Sequence, residues 1–260
     1  MSAPEMTLEE LCDLVGGDKY SEVRQARLVQ LVTDIYPDFH SFGTNWVRLN
    51  NEVGNNDIGS IEIEVANDAP QLCGLRVPVS ENDMRALNEH YHCVLPTVYM
   101  AVKIYDQADL QIDMTSMVNK PSDSNVMSDL SFCKKYYQIV QKKIEDAIIG
   151  LPKPAFDYLS VDDLFDLPSA LVCGAYKFWC EYTPRKDNVA CNFGSRFKGR
   201  WIQGEGFDHN PKHTDYSQAQ NLVADRFYLT SRDGSVSVES VRAFLSCPKK
   251  CRVFGLSKPI

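Results

Sequence analysis

No uninterrupted apolar run in this 260-residue chain approaches the roughly 20 residues that a helix needs to cross a bilayer. A basic leader is missing as well, since Met1 to Lys19 carries five acidic residues where a signal peptide would be basic. The expectation is an intracellular protein with no membrane partner, cytoplasmic or held in a viral particle or inclusion. Catalytic signatures are also scarce. No Gly-x-Ser-x-Gly elbow occurs, nor Gly-x-Gly-x-x-Gly, nor a Gly-Lys-Ser/Thr phosphate loop; Gly204-Glu205-Gly206 is the nearest approach to one. Nine cysteines and five histidines make a thiolate-base pair easy to imagine, but no local signature selects one. The sequence names no reaction and favours a role without catalysis.

What is present suffices for a sizeable core. Hydrophobic residues make up 44% and aromatics 10%, so a chain of this length folds without disulfides or metals. The cysteines, at 12, 73, 93, 133, 173, 180, 191, 247 and 251, are odd in number and sit in apolar segments, as reduced core thiols do. The net charge of −8 is unevenly spread. Residues 1 to 170 hold 13 basic and 27 acidic side chains, whereas 171 to 260 hold 14 basic and 8 acidic, or −14 against +6. Such a division suits intramolecular docking, head-to-tail association of subunits, or a basic surface for a polyanion.

Several segments have a readable period. Thr7 and Glu10 form a capping box before Leu8, Leu11, Leu14 and Val15, and a second helix runs from about Glu22 to Tyr36, ended by Pro37. Alternation predicts half-buried strands around Ile61, Ile63 and Val65, around Leu75, Val77 and Val79, from Val98 to Ile104, and at Leu110, Ile112 and Met114. The last two would form an antiparallel hairpin through Asp106 to Asp109. Ser80 and Asp83 cap a helix to about His90, and the stripe Leu130, Cys133, Tyr137, Val140, Ile144 and Ile148 makes Asp129 to Ile148 the best-defined helix. Beyond it, Ser169 is expected to start a helix to Tyr182, Gln218 to Asp225 looks helical, Arg226 to Thr230 extended, Arg232-Asp233-Gly234 a turn and Val238 to Leu245 helical. The expected fold is α+β, an antiparallel sheet flanked by N-terminal and central helices, with a sandwich as one form of it. It reads as a single domain, with two lobes as the variant: an acidic helix and sheet lobe over 1–150 and a basic, aromatic-rich lobe over 151–260.

Three constellations could carry chemistry. Lys177, Arg185, Lys186, Arg196, Lys198 and Arg200 alternate with aromatics that include Trp201, and such a stretch can pair with the phosphates and stack on the bases of a nucleotide or RNA. His209 and His213, with Cys247 and Cys251, form two pairs spaced by three residues whose nitrogens and sulfurs would suit zinc. Asp157, Asp162, Asp163 and Asp166 are the third, a set that helix capping explains as well as a hard cation does. Finally, Cys173 to Glu181, read as an apolar helix mixing Cys, Tyr, Phe and Trp, resembles a helix of cypovirus polyhedrins. That resemblance covers about a dozen residues and carries over no functional residue; it implies intracellular occlusion-body proteins with β-sandwich cores and nucleotide contacts. The expected function is a self-assembling structural protein of capsid, nucleocapsid or occlusion-body type. Its partner is itself, through complementary acidic and basic surfaces. The alternative is a nucleotide- or RNA-binding protein or an enzyme using residues 177–201.

Overall fold

The computed structural model describes residues 6–15, 22–49, 58–114, 129–149, 170–183, 186, 188–197, 200–214 and 217–260. Helices α1 (Leu8–Leu14), α2 (Glu22–Ile35), α3 (Glu81–His90) and α5 (Leu130–Ile149) stand where caps and stripes place them. Thr7 accepts from the Glu10 amide, and Ser80, itself buried, does the same for Asp83 at the head of α3. Both are reciprocal boxes that satisfy amide donors left over by the first helical turn. Because the Ser80 box is shielded, Ser80→Ala is expected to cost about 1–2 kcal/mol in urea denaturation, at the upper end for a cap. On α5 the fully buried tyrosine is Tyr136 rather than Tyr137, and its hydroxyl donates to the Ala175 carbonyl at 2.6 Å.

The main sheet is antiparallel and holds five strands. It runs β1 (Thr44–Leu49), β2 (Ile58–Ala66), β11 (Val223–Ser231), β12 (Val236–Glu239), with β5 (Cys93–Val94) also paired to β11. Strands β2 and β11 are central neighbours, with Ile63 opposite Phe227 and Ile61 opposite Leu229. The inner face buries Val47, Ile61, Ile63, Val65 and Phe227 against α4 (Val98–Asp106), α6 (Val241–Leu245) and Phe254. A second cluster gathers Leu11, Leu28, Val32, Met84, Leu87, Tyr136 and Val140 from α1, α2, α3 and α5 around Trp179. Three further strands, β8 (Lys177–Cys180), β9 (Ala190–Phe197) and β10 (Arg200–His209), form an antiparallel sheet in the order β10-β9-β8. Among the described residues two small ladders complete the set: a β3 (Gln71–Leu72) and β4 (Leu75–Arg76) hairpin, and a parallel pair of β6 (Leu110–Gln111) and β7 (Val172–Cys173). The architecture is α+β with antiparallel sheets. Among the described residues no helix is long and apolar enough to cross a membrane.

Five expectations are corrected. Residues 98–104 are helix, not strand: Thr97 caps α4, and Met100, Ala101, Ile104 and Tyr105 make a helical stripe that the alternation of Val98, Met100, Val102 and Ile104 conceals. The hairpin through Asp106 to Asp109 therefore does not form; Gln107 caps α4, and β6 pairs in parallel with β7 instead. Ser169 itself lies outside the described residues, but 172–173 and 177–180 are strands rather than a helix. Between them Gly174 has φ +114°, which an α-helix does not accommodate. Residues 223–225 open β11, and Val236–Glu239 is a strand, so the last helix shortens to Val241–Leu245 behind its Ser240 cap.

The division of charge is used inside the chain. Glu64 receives Arg226 at 2.6 Å, Asp106 lies 3.7 Å from Arg196, and Glu22 meets Lys212. Each pairs an acid from the first 170 residues with a base from the last 90. With β2 against β11, residues on either side of 150–156 share one sheet, and the proposed lobe boundary itself lies outside the described residues.

Candidate functional site

The cationic aromatic stretch is split by its strands. β9 and β10 form a hairpin with Trp201 opposite Arg196, so Lys177, Arg196, Arg200 and Trp201 sit toward one end of the three-stranded sheet. Lys186 belongs to the β8–β9 connection at the other end, roughly 25 Å away along an eight-residue strand. Arg185 and Lys198 lie outside the described residues. Arg196 is already committed. Its guanidinium lies over Tyr105 at 4.7 Å and Trp201 at 5.2 Å, and Asp106 is within ion-pair distance. Trp201 in turn packs on Phe193 at 4.7 Å between centroids. This cation–aromatic stack fastens the hairpin to α4, and a phosphate would have to displace a carboxylate to reach Arg196. Lys186 and Arg200 are exposed.

The histidine and cysteine pairs are not brought together. His209 and His213 stack face to face, 4.5 Å between centroids and 3° from parallel, with His209 edge-on to Trp179. Cys247 and Cys251 belong to a helical turn after α6, in which the Cys251 amide donates to the Cys247 carbonyl. The buried Cys251 thiol donates to the carbonyls of Pro248 and Leu256. Among the described residues no three His, Cys, Asp or Glu side chains gather as a metal-holding group. The aspartates at 157, 162, 163 and 166 lie outside the described residues.

Six of the nine thiols are poorly suited to attack. All nine cysteines are free, and burial pushes the thiols of Cys12, Cys73, Cys93, Cys173, Cys180 and Cys191 upward, to about 12 for Cys191. A nucleophilic cysteine needs the opposite shift.

A surface that the sequence reading missed is the outer face of the five-stranded sheet. Residues directly opposite on neighbouring strands point to one face, and the register sets Arg48 beside Glu62, Glu62 beside Tyr228, and Tyr228 beside Val238. Thr230 and Val236 form the next row, and Trp46 and Glu64 the row on the other side. The Trp46 and Tyr228 rings lie 4.6 Å apart. Eight large apolar side chains stand exposed among the described residues, and four of them, Trp46, Tyr228, Val236 and Val238, share this face. Such clustering is unusual on a surface with no partner. The buried Glu64 carboxylate accepts from Thr44 and Arg226, with His40 lying 3.5 Å from it, so charge on the face is largely paired. Alternation in β2 indicated one polar face, but Trp46 and Tyr228 are too distant in sequence for any local pattern to join them.

The chain matches no protein-family model, no curated protein and no solved structure.

Proposed function

We propose that the chain is a self-associating structural protein whose copies meet through the open face and the β12 edge of the five-stranded sheet. The observation that carries this reading is the gathering of Trp46, Tyr228, Val236 and Val238 on one face. Strand β12 ends the sheet order, and its sequence, Val-Ser-Val-Glu, has neither the lysine nor the proline that commonly blunts an exposed edge. Antiparallel pairing of β12 with its copy would extend the sheet and join the two apolar faces. The alternating Arg48, Glu62, Glu64 and Arg226 leave little net charge to repel a second copy. For an RNA the same carboxylates stand beside each arginine and oppose the phosphates, so the face suits protein better than polyanion. Four strands spaced by about 4.8 Å and about 20 Å long give a face of roughly 400 Å² per copy, about half of what each partner buries in a stable contact. Association is therefore expected to be weak and concentration-dependent unless contacts repeat in a lattice.

Sedimentation velocity over a wide concentration range tests this. Wild type should shift toward larger species as concentration rises, whereas Val238→Lys and Tyr228→Ser should remain monomeric with unchanged melting temperatures. A wild-type protein that stays monomeric throughout would refute the reading. Salt-sensitive RNA binding that falls on changing Arg196, Lys198 and Arg200 to alanine would favour the alternative.

A further inference from the structure

Copies that meet through the five-stranded sheet could join in two ways, because its path ends in β1 on one side and in β12 on the other. Each strand of the path β1-β2-β11-β12 runs antiparallel to the next, so β1 and β12 run in opposite directions. A copy's β1 laid beside β12 would therefore continue the antiparallel sheet, and each addition would present a fresh β12. Head-to-tail contacts of that kind do not close and give a filament. Pairing of β12 with the β12 of a second copy uses one patch twice and closes.

The two edges are not equally available. In an antiparallel pair, alternate residues turn their main-chain N–H and C=O away from the neighbouring strand. On β1, Arg48 is such a residue: its N–H donates to Oε1 of Gln107 at 2.9 Å, and its carbonyl accepts from Nε2 of Gln107 at 2.6 Å. The exposed side-chain amide of Gln107, anchored at the end of α4, thus makes both bonds that an added strand would make there. An incoming β12 with Val236 or Val238 opposite Arg48 finds both groups taken. Shifted by two residues from Val236, it brings Gly234 of its own turn onto Arg48 and against Gln107.

The other edge is open. The Ser231 N–H donates to the Ser235 carbonyl at 2.8 Å, which sets the phase of the β11–β12 ladder: Ser235 and Ser237 bond toward β11, and Val236 and Val238 turn their N–H and C=O outward. Among the described residues nothing occupies these outward groups. On the same side of β11, the short strand β5 has its Cys93 carbonyl taken by Nη2 of Arg242 at 3.1 Å, so the open stretch is β12 itself.

We infer that Gln107 is an edge guard that limits the sheet to closed, two-fold pairing of β12 with the β12 of a second copy, an assignment that rests on the self-association reading. Matching the outward groups puts the two-fold axis at Ser237. Val236 of each copy then exchanges both main-chain bonds with Val238 of the other, and Ser237 stands opposite its own copy. The exposed valines meet side by side on the outer face, and the two Glu239 carboxylates stay roughly 14 Å apart along the strands.

Sedimentation velocity with negative-stain electron microscopy tests the guard. Wild type should reach a plateau at a finite species of even copy number. Gln107→Ala and Gln107→Met, both at an exposed side chain, should exceed that plateau by about tenfold or more in mass, as filaments. Adding Val238→Lys to either should abolish the filaments, since every head-to-tail contact needs one β12. Ser237→Cys oxidised with diamide should be trapped as a dimer that peptide mapping links through residue 237, whereas Ser235→Cys should not. Wild type that grows without limit, or Gln107 variants that stop at the wild-type species, would overturn the guard and leave self-association standing. No Ser237→Cys dimer from an associating protein would overturn the two-fold register. Wild type that stays monomeric would remove the self-association reading and the guard together.

Discussion

Gly174→Ala is expected to destabilise the protein by about 3–5 kcal/mol, among the largest effects a single methyl group can have. Gly174 follows β7 with φ +114°, a conformation that L side chains rarely adopt. A Cβ there would lie 2.3 Å from Cε2 of Tyr105 and 2.7 Å from the carbonyl oxygen of Ile112. Neither neighbour can yield easily. Tyr105 is buried at the end of α4 and forms one side of the Arg196 stack, and Ile112 is tied to β7 by the hydrogen bond its amide donates to the Cys173 carbonyl. Urea denaturation measures the cost directly, and a loss below about 1 kcal/mol would contradict it. Tyr105→Ala combined with Gly174→Ala should do no better than partial recovery relative to Gly174→Ala, because the Ile112 carbonyl and the backbone strain remain.

Asp68→Asn is expected to cost about 3–5 kcal/mol, the usual penalty for stranding one member of a buried ion pair. Asp68 accepts from Nε of Arg76 at 2.8 Å and from Nη2 at 2.5 Å. The Arg76 side chain is only 3% exposed and lies over the rings of Tyr137 and Tyr176. Burial works against its charge, and Asp68, followed by Tyr176, more than offsets this and holds the guanidinium protonated. A lysine in such a place could shed its proton, but an arginine cannot, so the uncompensated charge stays in the core. Arg76 Nη1 already lacks a partner, which leaves no spare bond to absorb the loss. The double variant Asp68→Asn/Arg76→Met removes the charge itself and should unfold at a higher denaturant concentration than Asp68→Asn alone. If the double variant is no more stable than the single, the penalty does not come from the stranded charge.

Where the sequence was legible, the signal was local. Thr7 with Glu10 and Ser80 with Asp83 declare helix starts within four residues, and α2 and α5 follow from their stripes. The misreading of 98–104 has a physical source: Tyr99 and Ala101 are apolar too, so both a period of 2 and a period of 3.6 fit. The telling residue was Thr97, a cap of the same kind as Ser80. The helix expected from Ser169 to Tyr182 failed for another reason. The aromatics and cysteines of 173–182 are buried around strands rather than along one helix, and Gly174, at φ +114°, was the available warning. With the Cys173 to Glu181 helix goes the basis of the polyhedrin resemblance, since residues 177–180 are a strand. The charge division was legible, but only the structure shows Glu64, Asp106 and Glu22 meeting their partners within one chain.

The pairing of β2 with β11 also governs how the molecule can be made. During synthesis β2 emerges with only β1 as a sheet neighbour, and its other edge waits until residues 223–231 have left the ribosome. For most of translation, Ile61, Ile63 and Val65 lack the strand, α6 and Phe254 that later cover them. Pairings this distant in sequence close slowly, and an unfinished sheet edge is an invitation to other nascent chains. The same chain that must avoid meeting its copies early, through β2, would meet them late, through β12. Timing, as much as affinity, then separates orderly assembly from aggregation.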